Sequence, residues 1–279
     1  MGAINAPWYP PATAVSKATT AITVLPCHAA ALRNALGDKV FLFGLFCSKR
    51  ITADILKYVC HKERCHFDEI SNIDFRAGSW PGSLQFETVK RTVLIGSSKT
   101  YWAAIYNSYF YVPSGCLFCN DYFCDKADIS FGDPWMKSYS HGSRGDSVII
   151  VRSKRGEELF KRAIYENILE VQDISEEDVI SGHINGIYNK RAGVNIRRKI
   201  FMKSKIPVPK FSDAETLYAN PAGILFEFFY VLNNYLTRKI GLFYFIPRIP
   251  RQLMFVYRFS HAMLLKYYLK IIRFEKKAL

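Results

Sequence analysis

A chain of 279 residues with 49% hydrophobic and 22% charged side chains carries enough apolar content for a substantial core, which excludes an intrinsically disordered protein. The formal net charge of +14 sits at one end: residues 1–187 hold 20 Lys and Arg against 20 Asp and Glu, whereas residues 188–279 hold 18 against 4. Such a basic excess attracts phosphate on a cofactor, a lipid head group or a nucleic acid, and composition does not choose among them.

Residues 1–20 contain Pro7, Pro10 and Pro11 but no apolar run behind a basic start, so no secretory signal is expected. The chain is therefore expected in the cytoplasm, or peripherally on the inner face of a membrane. In that reducing setting, clustered members of the seven cysteines read better as metal ligands than as disulfides.

Residues 22–25 form a short β-branched run, followed by a helical segment from Pro26 to Leu36 that Gly37 and Asp38 end. The continuous apolar run 40–46 suits a strand buried on both faces, and Thr52 caps a helix through about Cys60. Strand, helix, strand, helix is the rhythm of a parallel sheet. From 70 to 95 the pattern changes to short alternating stretches broken by Gly78, Pro81 and Gly82, which read as antiparallel strands and turns. Residues 99–110 have helical character, 113–125 form a cysteine-bearing loop, and 129–131 and 148–151 read as strands. Residues 156–168 form an amphipathic helix, and Ser175 with Asp178 stands at capping-box spacing before another.

Beyond residue 207 the composition turns aromatic, Leu-rich and basic, with helical stretches at 224–236 and 254–269 joined by a Pro-containing turn at 245–250. Glu227, Arg238, Lys239, Arg248, Arg251, Arg258 and Lys266 interrupt it, so a membrane-spanning helix is not expected. Two readings stay open: helices that pack on the body or on a partner subunit, and an amphipathic surface that lies on an anionic membrane through residues 206–279. The expected fold is α/β, a mixed parallel and antiparallel sheet core flanked by helices. A core over residues 1–205 would carry a basic helical extension over 206–279.

The strongest local signal is Cys116, Cys119 and Cys124 in a C-x2-C-x4-C arrangement. Thiolates are soft donors suited to iron or zinc, and a two-residue spacer lets both sulfurs reach one centre. Three ligands call for a fourth: Cys47, at the end of the 40–46 strand, is the first choice and Cys27 the second. Cys60, His61, Cys65 and His66 form a second, zinc-like pattern, against which the charged neighbours Lys62, Glu63 and Arg64 indicate an exposed turn. Spacing alone does not decide between zinc and an iron–sulfur centre. Directly after the loop, Asp133 and Trp135 put a carboxylate and an indole at the mouth of a turn. That pair reads either as a turn with a packed Trp or as the border of a flavin.

Several segments, in order, together resemble the coenzyme F420 hydrogenase/dehydrogenase beta-subunit family. They are Pro26-Cys27-His28, Gly44-Leu45-Phe46-Cys47-Ser48, Asp74-Phe75-Arg76 with Trp80-Pro81-Gly82, the C-x2-C segment, and Ala127-Asp128-Ile129-Ser130-Phe131-Gly132-Asp133-Pro134-Trp135. Gly145-Asp146-Ser147-Val148 and Ser153-Lys154-Arg155-Gly156 follow, so the resemblance covers about residues 20–200. It implies a mixed α/β fold that holds a 4Fe-4S cluster and FAD. Electrons would pass between an iron–sulfur donor, a redox partner protein or ferredoxin, and a reducible acceptor such as coenzyme F420.

Carried over position by position, Cys116, Cys119 and Cys124 match the family's cysteine loop and Cys47 the cysteine of its apolar strand. Arg76, Asp133 and Trp135 match motif positions and are taken as cofactor-binding; no catalytic residue is assigned. Related proteins begin with a cysteine-rich ferredoxin-like module and a Ser- and Gly-rich loop that contacts flavin. This chain opens near the middle of that pattern, so an N-terminally truncated member is expected.

The alternative is a zinc-stabilised, non-catalytic binding or scaffold protein with a membrane-docking basic tail. Nucleic acid is not favoured as a partner, since no recognition module is present. Neither a P-loop nor a Gly-x-Ser-x-Gly elbow occurs, and His28 and His183 read as packed or surface histidines.

Overall fold

In the computed structural model, residues 21–97, 100–136, 146–204, 207–209, 221–238 and 245–278 are described. Expected features that fall on Gly145 and on residues 137–144, 205–206, 210–220 and 239–244 lie outside them. The chain divides into two units that interleave in sequence. Among the described residues, one joins those up to Ser48 with those of Cys119–Arg191, and the other joins those of Lys49–Phe118 with those from Ala192 onward.

In the first unit, β1 (Ala21–Val24) leads directly into α1 (Pro26–Leu36), with Pro26 in its first turn where no helical N–H is lost. Next comes β2 (Phe41–Leu45), then β6 (Ile129–Gly132) and β7 (Val148–Val151) after an excursion into the other unit. The sheet order is β1-β2-β6-β7; β1 and β6 both run parallel to the central β2, and β7 closes the edge antiparallel to β6. The continuous apolar run is thus the strand with neighbours on both sides, as burial on both faces requires. Val24, Ala29, Val40, Leu42, Cys124 and Ala127 form its core. Two helices complete the unit, α4 (Lys154–Tyr165) and α5 (Glu176–Lys190). Each is capped by a serine hydroxyl that accepts a backbone N–H: Ser153 from Gly156 and Ser175 from Asp178, both at 3.1 Å.

Asp128, at the head of β6 and 2% exposed, ties these elements together. Its Oδ2 accepts from Arg33 of α1 at 2.7 Å, from the Leu42 N–H of β2 at 2.8 Å and from Arg155 of α4 at 2.8 Å. Its Oδ1 accepts from the Ser153 hydroxyl at 2.6 Å and from Arg155 Nε at 2.7 Å. Burial alone would push the carboxyl up. The bonds from Arg155, Ser153, Leu42 and Arg33 outweigh burial and hold it well below the usual carboxylate range.

In the second unit, β3 (Ile70–Ala77), β4 (Ser83–Thr88) and β5 (Thr92–Gly96) form an antiparallel meander in that order. Leu84, Phe86, Val93 and Ile95 alternate inward, the period of a half-buried sheet. Helix α2 (Asp54–Glu63) buries Ile55, Leu56, Tyr58, Val59 and Cys60, and α3 (Tyr101–Asn107) starts at the Thr100 cap. The remaining helices are α6 (Ala192–Lys203), α7 (Pro221–Arg238) and α8 (Arg251–Ala278); α8 packs on both α3 and α7. The Pro-containing turn expected before α8 is a short 3-10 helix, Ile246–Arg248.

Helix α7 holds the segment ahead of the cysteine loop through its amides. Asn233 donates to the Ser108 carbonyl at 2.6 Å and Asn234 to that of Val112, while Tyr230 stacks on Tyr109 at 3.9 Å. Fully buried Arg197 of α6 pairs with fully buried Glu227 of α7 and donates to the Leu117 carbonyl at 2.8 Å. Among the described residues no helix is long and apolar enough to cross a membrane, in line with the charges that interrupt the sequence. Mixed parallel and antiparallel sheets flanked by helices make the fold α/β, as expected.

Replacing Asp128 with Asn should destabilise the chain by about 3 kcal/mol, because two arginines lose their buried counter-charge. A carboxyl held low in the fold stabilises above its unfolded pKa of about 3.9, and that stability is lost as pH falls further. Urea unfolding followed by circular dichroism should therefore show a gap between wild type and Asp128→Asn at pH 7 that narrows below pH 4.

Candidate functional site

Beyond β2 the chain runs straight into the expected site. The Phe46 N–H donates to the Phe131 carbonyl at 2.7 Å, and the Cys47 N–H donates to the Tyr122 carbonyl at 2.9 Å. The end of the central strand is thereby fastened to the loop between Cys119 and Cys124. The Phe46 ring lies on Gly132, where any Cβ would overlap it.

Cys124 takes the left-handed conformation, φ 59°, and is fully buried. Its sulfur lies under β2, where a Cβ on Gly44 would come within 2.6 Å of it. Burial, chiefly, and then the Asp121 carboxylate push its thiol up to about 12. Cys119 is half-buried and its Sγ donates to the Asp121 carbonyl at 3.5 Å. Burial, and then the neighbouring Asp125, raise the Asp121 carboxyl; Asp125 itself pairs with Arg191 at 2.9 Å and Arg152 at 3.4 Å.

Four aromatic rings close over this end of the sheet. Phe46 meets Phe123 edge-on at 4.9 Å and His183 at 5.4 Å, and Tyr122 packs against both Phe123 and His183. The Tyr122 hydroxyl and His183 Nδ1 are hydrogen-bonded at 2.9 Å. His183, on α5, is a packed histidine, as its sequence setting indicated. Burial lowers its pKa and the Asp133 carboxylate partly restores it. Asp133 and Trp135 follow β6, Asp133 half-buried and the Trp135 indole 50% exposed. Tyr122 and His183 carried no signal beyond Tyr122's place inside the cysteine loop.

The other unit holds the remaining expected residues. Cys116 lies in the 3-10 turn Ser114–Leu117, and its Sγ accepts the Arg50 N–H at 3.5 Å. Arg76, on β3, donates its N–H to Asp74 Oδ1 at 2.7 Å and places its guanidinium 5.0 Å from the Trp80 ring. Cys60 and Cys65 stand at the end of α2, whereas Cys27 is exposed on α1 of the first unit. None of the seven cysteines is in a disulfide. Among the described residues, no group of three or more His, Cys, Asp and Glu side chains is arranged to hold a metal ion. The structure thus brings Cys47, Cys119 and Cys124 to one segment of chain without closing a coordination sphere around them.

Comparison with known proteins bears on that segment. The sequence model of the family described as the C terminus of the beta subunit of coenzyme F420 hydrogenase/dehydrogenase matches residues 18–177. The chain is 28% identical over 175 residues to an uncharacterized protein of Methanocaldococcus jannaschii, covering 61% of each. It is 24% identical over 164 residues to coenzyme F420 hydrogenase subunit beta of Methanothermobacter thermautotrophicus, covering 54% of this chain and 52% of that one. It is 27% identical over 119 residues to coenzyme F420-dependent sulfite reductase of M. jannaschii, covering 43% of this chain and 16% of that protein. The matched regions thus span less than two thirds of the length of each of these relatives.

Gly44→Ala should cost about 1–3 kcal/mol by overpacking, because the new methyl meets Cys124 Sγ and, at 2.7 Å, Ala127 Cβ. Thermal unfolding measures the loss. A variant that melts with the wild type would show that the Cys124 sulfur does not lie against the strand.

Proposed function

Because the chain belongs to the coenzyme F420 hydrogenase/dehydrogenase beta-subunit family, we propose that it transfers electrons between an iron–sulfur donor and a reducible acceptor through FAD. Oxidoreductase electron transfer is the activity class of that family, and coenzyme F420 stands in the names of two relatives. The observation that carries the reading is the hydrogen bond from Cys47 to Tyr122, which joins the strand-end cysteine to the cysteine loop within the matched region.

The donors fit an iron–sulfur cluster in kind. Cys47, Cys116, Cys119 and Cys124 are in no disulfide, and the N–H directed at Cys116 is the sort of bond that ligating sulfurs accept. The buried Cys124 thiol holds its proton tightly, so ligation must displace that proton, and metal uptake should be favoured by rising pH.

For FAD, the exposed Trp135 indole offers a stacking face and the half-buried Asp133 an acceptor for a polar ring edge. When bound, FAD would supply the exchange between hydride pairs and single electrons. Phe46, Tyr122 and Phe123 would keep water from the strand end, and a drier setting strengthens every electrostatic contact beside it.

Docking would use α8. Met254, His261, Leu265 and Tyr268 face inward, while Leu253, Val256, Phe259, Met263 and Tyr267 form a second apolar row left exposed on the described chain. One row packs on the body and the other serves a partner, a ferredoxin or a redox subunit, drawn by the basic charge of residues 188–279. The same row with exposed Lys266 and Lys270 supports a second reading, a peripheral hold on an anionic membrane from the cytoplasm.

Anaerobically purified protein should carry about four iron and four sulfide per chain, with FAD. Cys119→Ser should lose iron; undiminished iron would exclude this ligand set, and a colourless protein with stoichiometric zinc would replace the redox reading by a structural one. Flotation with phosphatidylserine vesicles should separate the two docking readings. Binding that ~0.5 M salt abolishes would favour the membrane, since exposed charges are screened at that ionic strength.

A further inference from the structure

The second unit holds a pair of sulfurs that the electron-transfer reading does not use. Helix α2 ends at Glu63, and Arg64 follows in the left-handed conformation, φ 56°. The Arg64 N–H bonds the His61 carbonyl at 3.4 Å and the Cys65 N–H bonds the Cys60 carbonyl at 3.0 Å. This nested pair of bonds is the Schellman ending, which folds the residue two past the helix back over the last turn and brings its side chain against the one five positions earlier. Both of those side chains are cysteines here. Cys65 Sγ donates to the Cys60 carbonyl at 3.7 Å.

We infer that Cys60 and Cys65 are a redox-active dithiol that closes to a disulfide on reaction with an oxidised low-molecular-weight disulfide. The backbone bond across the helix end draws residues 60 and 65 together, and a disulfide needs Cα atoms about 4.4–6.8 Å apart.

Burial fixes the order of events. Cys60 is 3% exposed, whereas Cys65 is only partly buried, so Cys65 meets the oxidant. The Cys65 thiolate attacks one sulfur of the small disulfide and expels its other half as a thiolate. The Cys60 sulfur then attacks Cys65, losing its proton and expelling the second half. The protein dithiol gives up two electrons, the small disulfide becomes two thiols, and the two protein thiol protons end on them. Burial, first, and the Cys65 sulfur after it push the Cys60 thiol up to about 12. The second attack therefore runs through the small thiolate fraction of Cys60, which its nearness to Cys65 makes effective, and ring closure should quicken as pH rises.

The site is independent of the proposed cluster, and its test does not need that cluster loaded. The reduced full chain is treated with oxidised glutathione, quenched with iodoacetamide and digested with trypsin, which cuts after Lys62 and Arg64. A peptide of residues 58–62 should appear linked to one of 65–76, two hydrogens lighter than the reduced pair, and dithiothreitol should separate them. Cys60→Ser should instead trap glutathione on Cys65. Persistent glutathione on wild-type Cys65, a bond from Cys65 to any other cysteine, or alkylation of both residues would overturn the inference.

Discussion

One buried carboxylate orders the first unit. Asp128 is reached by α1 through Arg33, by β2 through the Leu42 N–H and by α4 through Arg155 and Ser153, while its own backbone joins β2 on one side and the start of α4 on the other. A bare carboxylate at that depth would be prohibitively costly. It is tolerated because each of its oxygens is saturated, and every partner belongs to an element whose position is thereby set. The cysteine loop lies four residues upstream of this anchor and Asp133 five downstream. The cysteine loop and Asp133 thus flank a point that bonds from three elements fix.

That arrangement changes the meaning of two motifs. The Ala-Asp-Ile-Ser-Phe-Gly-Asp-Pro-Trp run and the Ser-Lys-Arg-Gly run, separate in sequence, are halves of one ion pair: Asp128 comes from the first and Arg155 from the second. Their joint presence signals a fold as much as a reaction. Within the first run only Trp135 is exposed, while Asp133 is half-buried.

Much of the fold was legible. The central strand was marked by seven apolar residues in a row, the meander by alternation between glycines, and the two helix starts by Ser153 and Ser175, since these patterns are local consequences of burial and capping. Assignment of elements to units was not. Helix α2 follows β2 as the next βα repeat would, yet it falls in the unit of the meander and α6–α8, because periodicity reports that a face is buried without saying against what. At the candidate site the thiols were plain from spacing, whereas the Tyr122–His183 bond joins residues 61 apart and depends on the path of the chain. The cysteine pattern at α2 was visible as a metal-like set. Its geometry as a helix ending followed from Arg64 in the left-handed region, for which a long cationic side chain gives no hint.

Helix α8 presents apolar side chains on two sides at once, and a body of this size can cover only one of them. The bare row from Leu253 to Tyr267 would have to be sheltered during biosynthesis. Left alone at high concentration, the chain would meet its own kind through these side chains, and mild detergent is what would keep it dispersed.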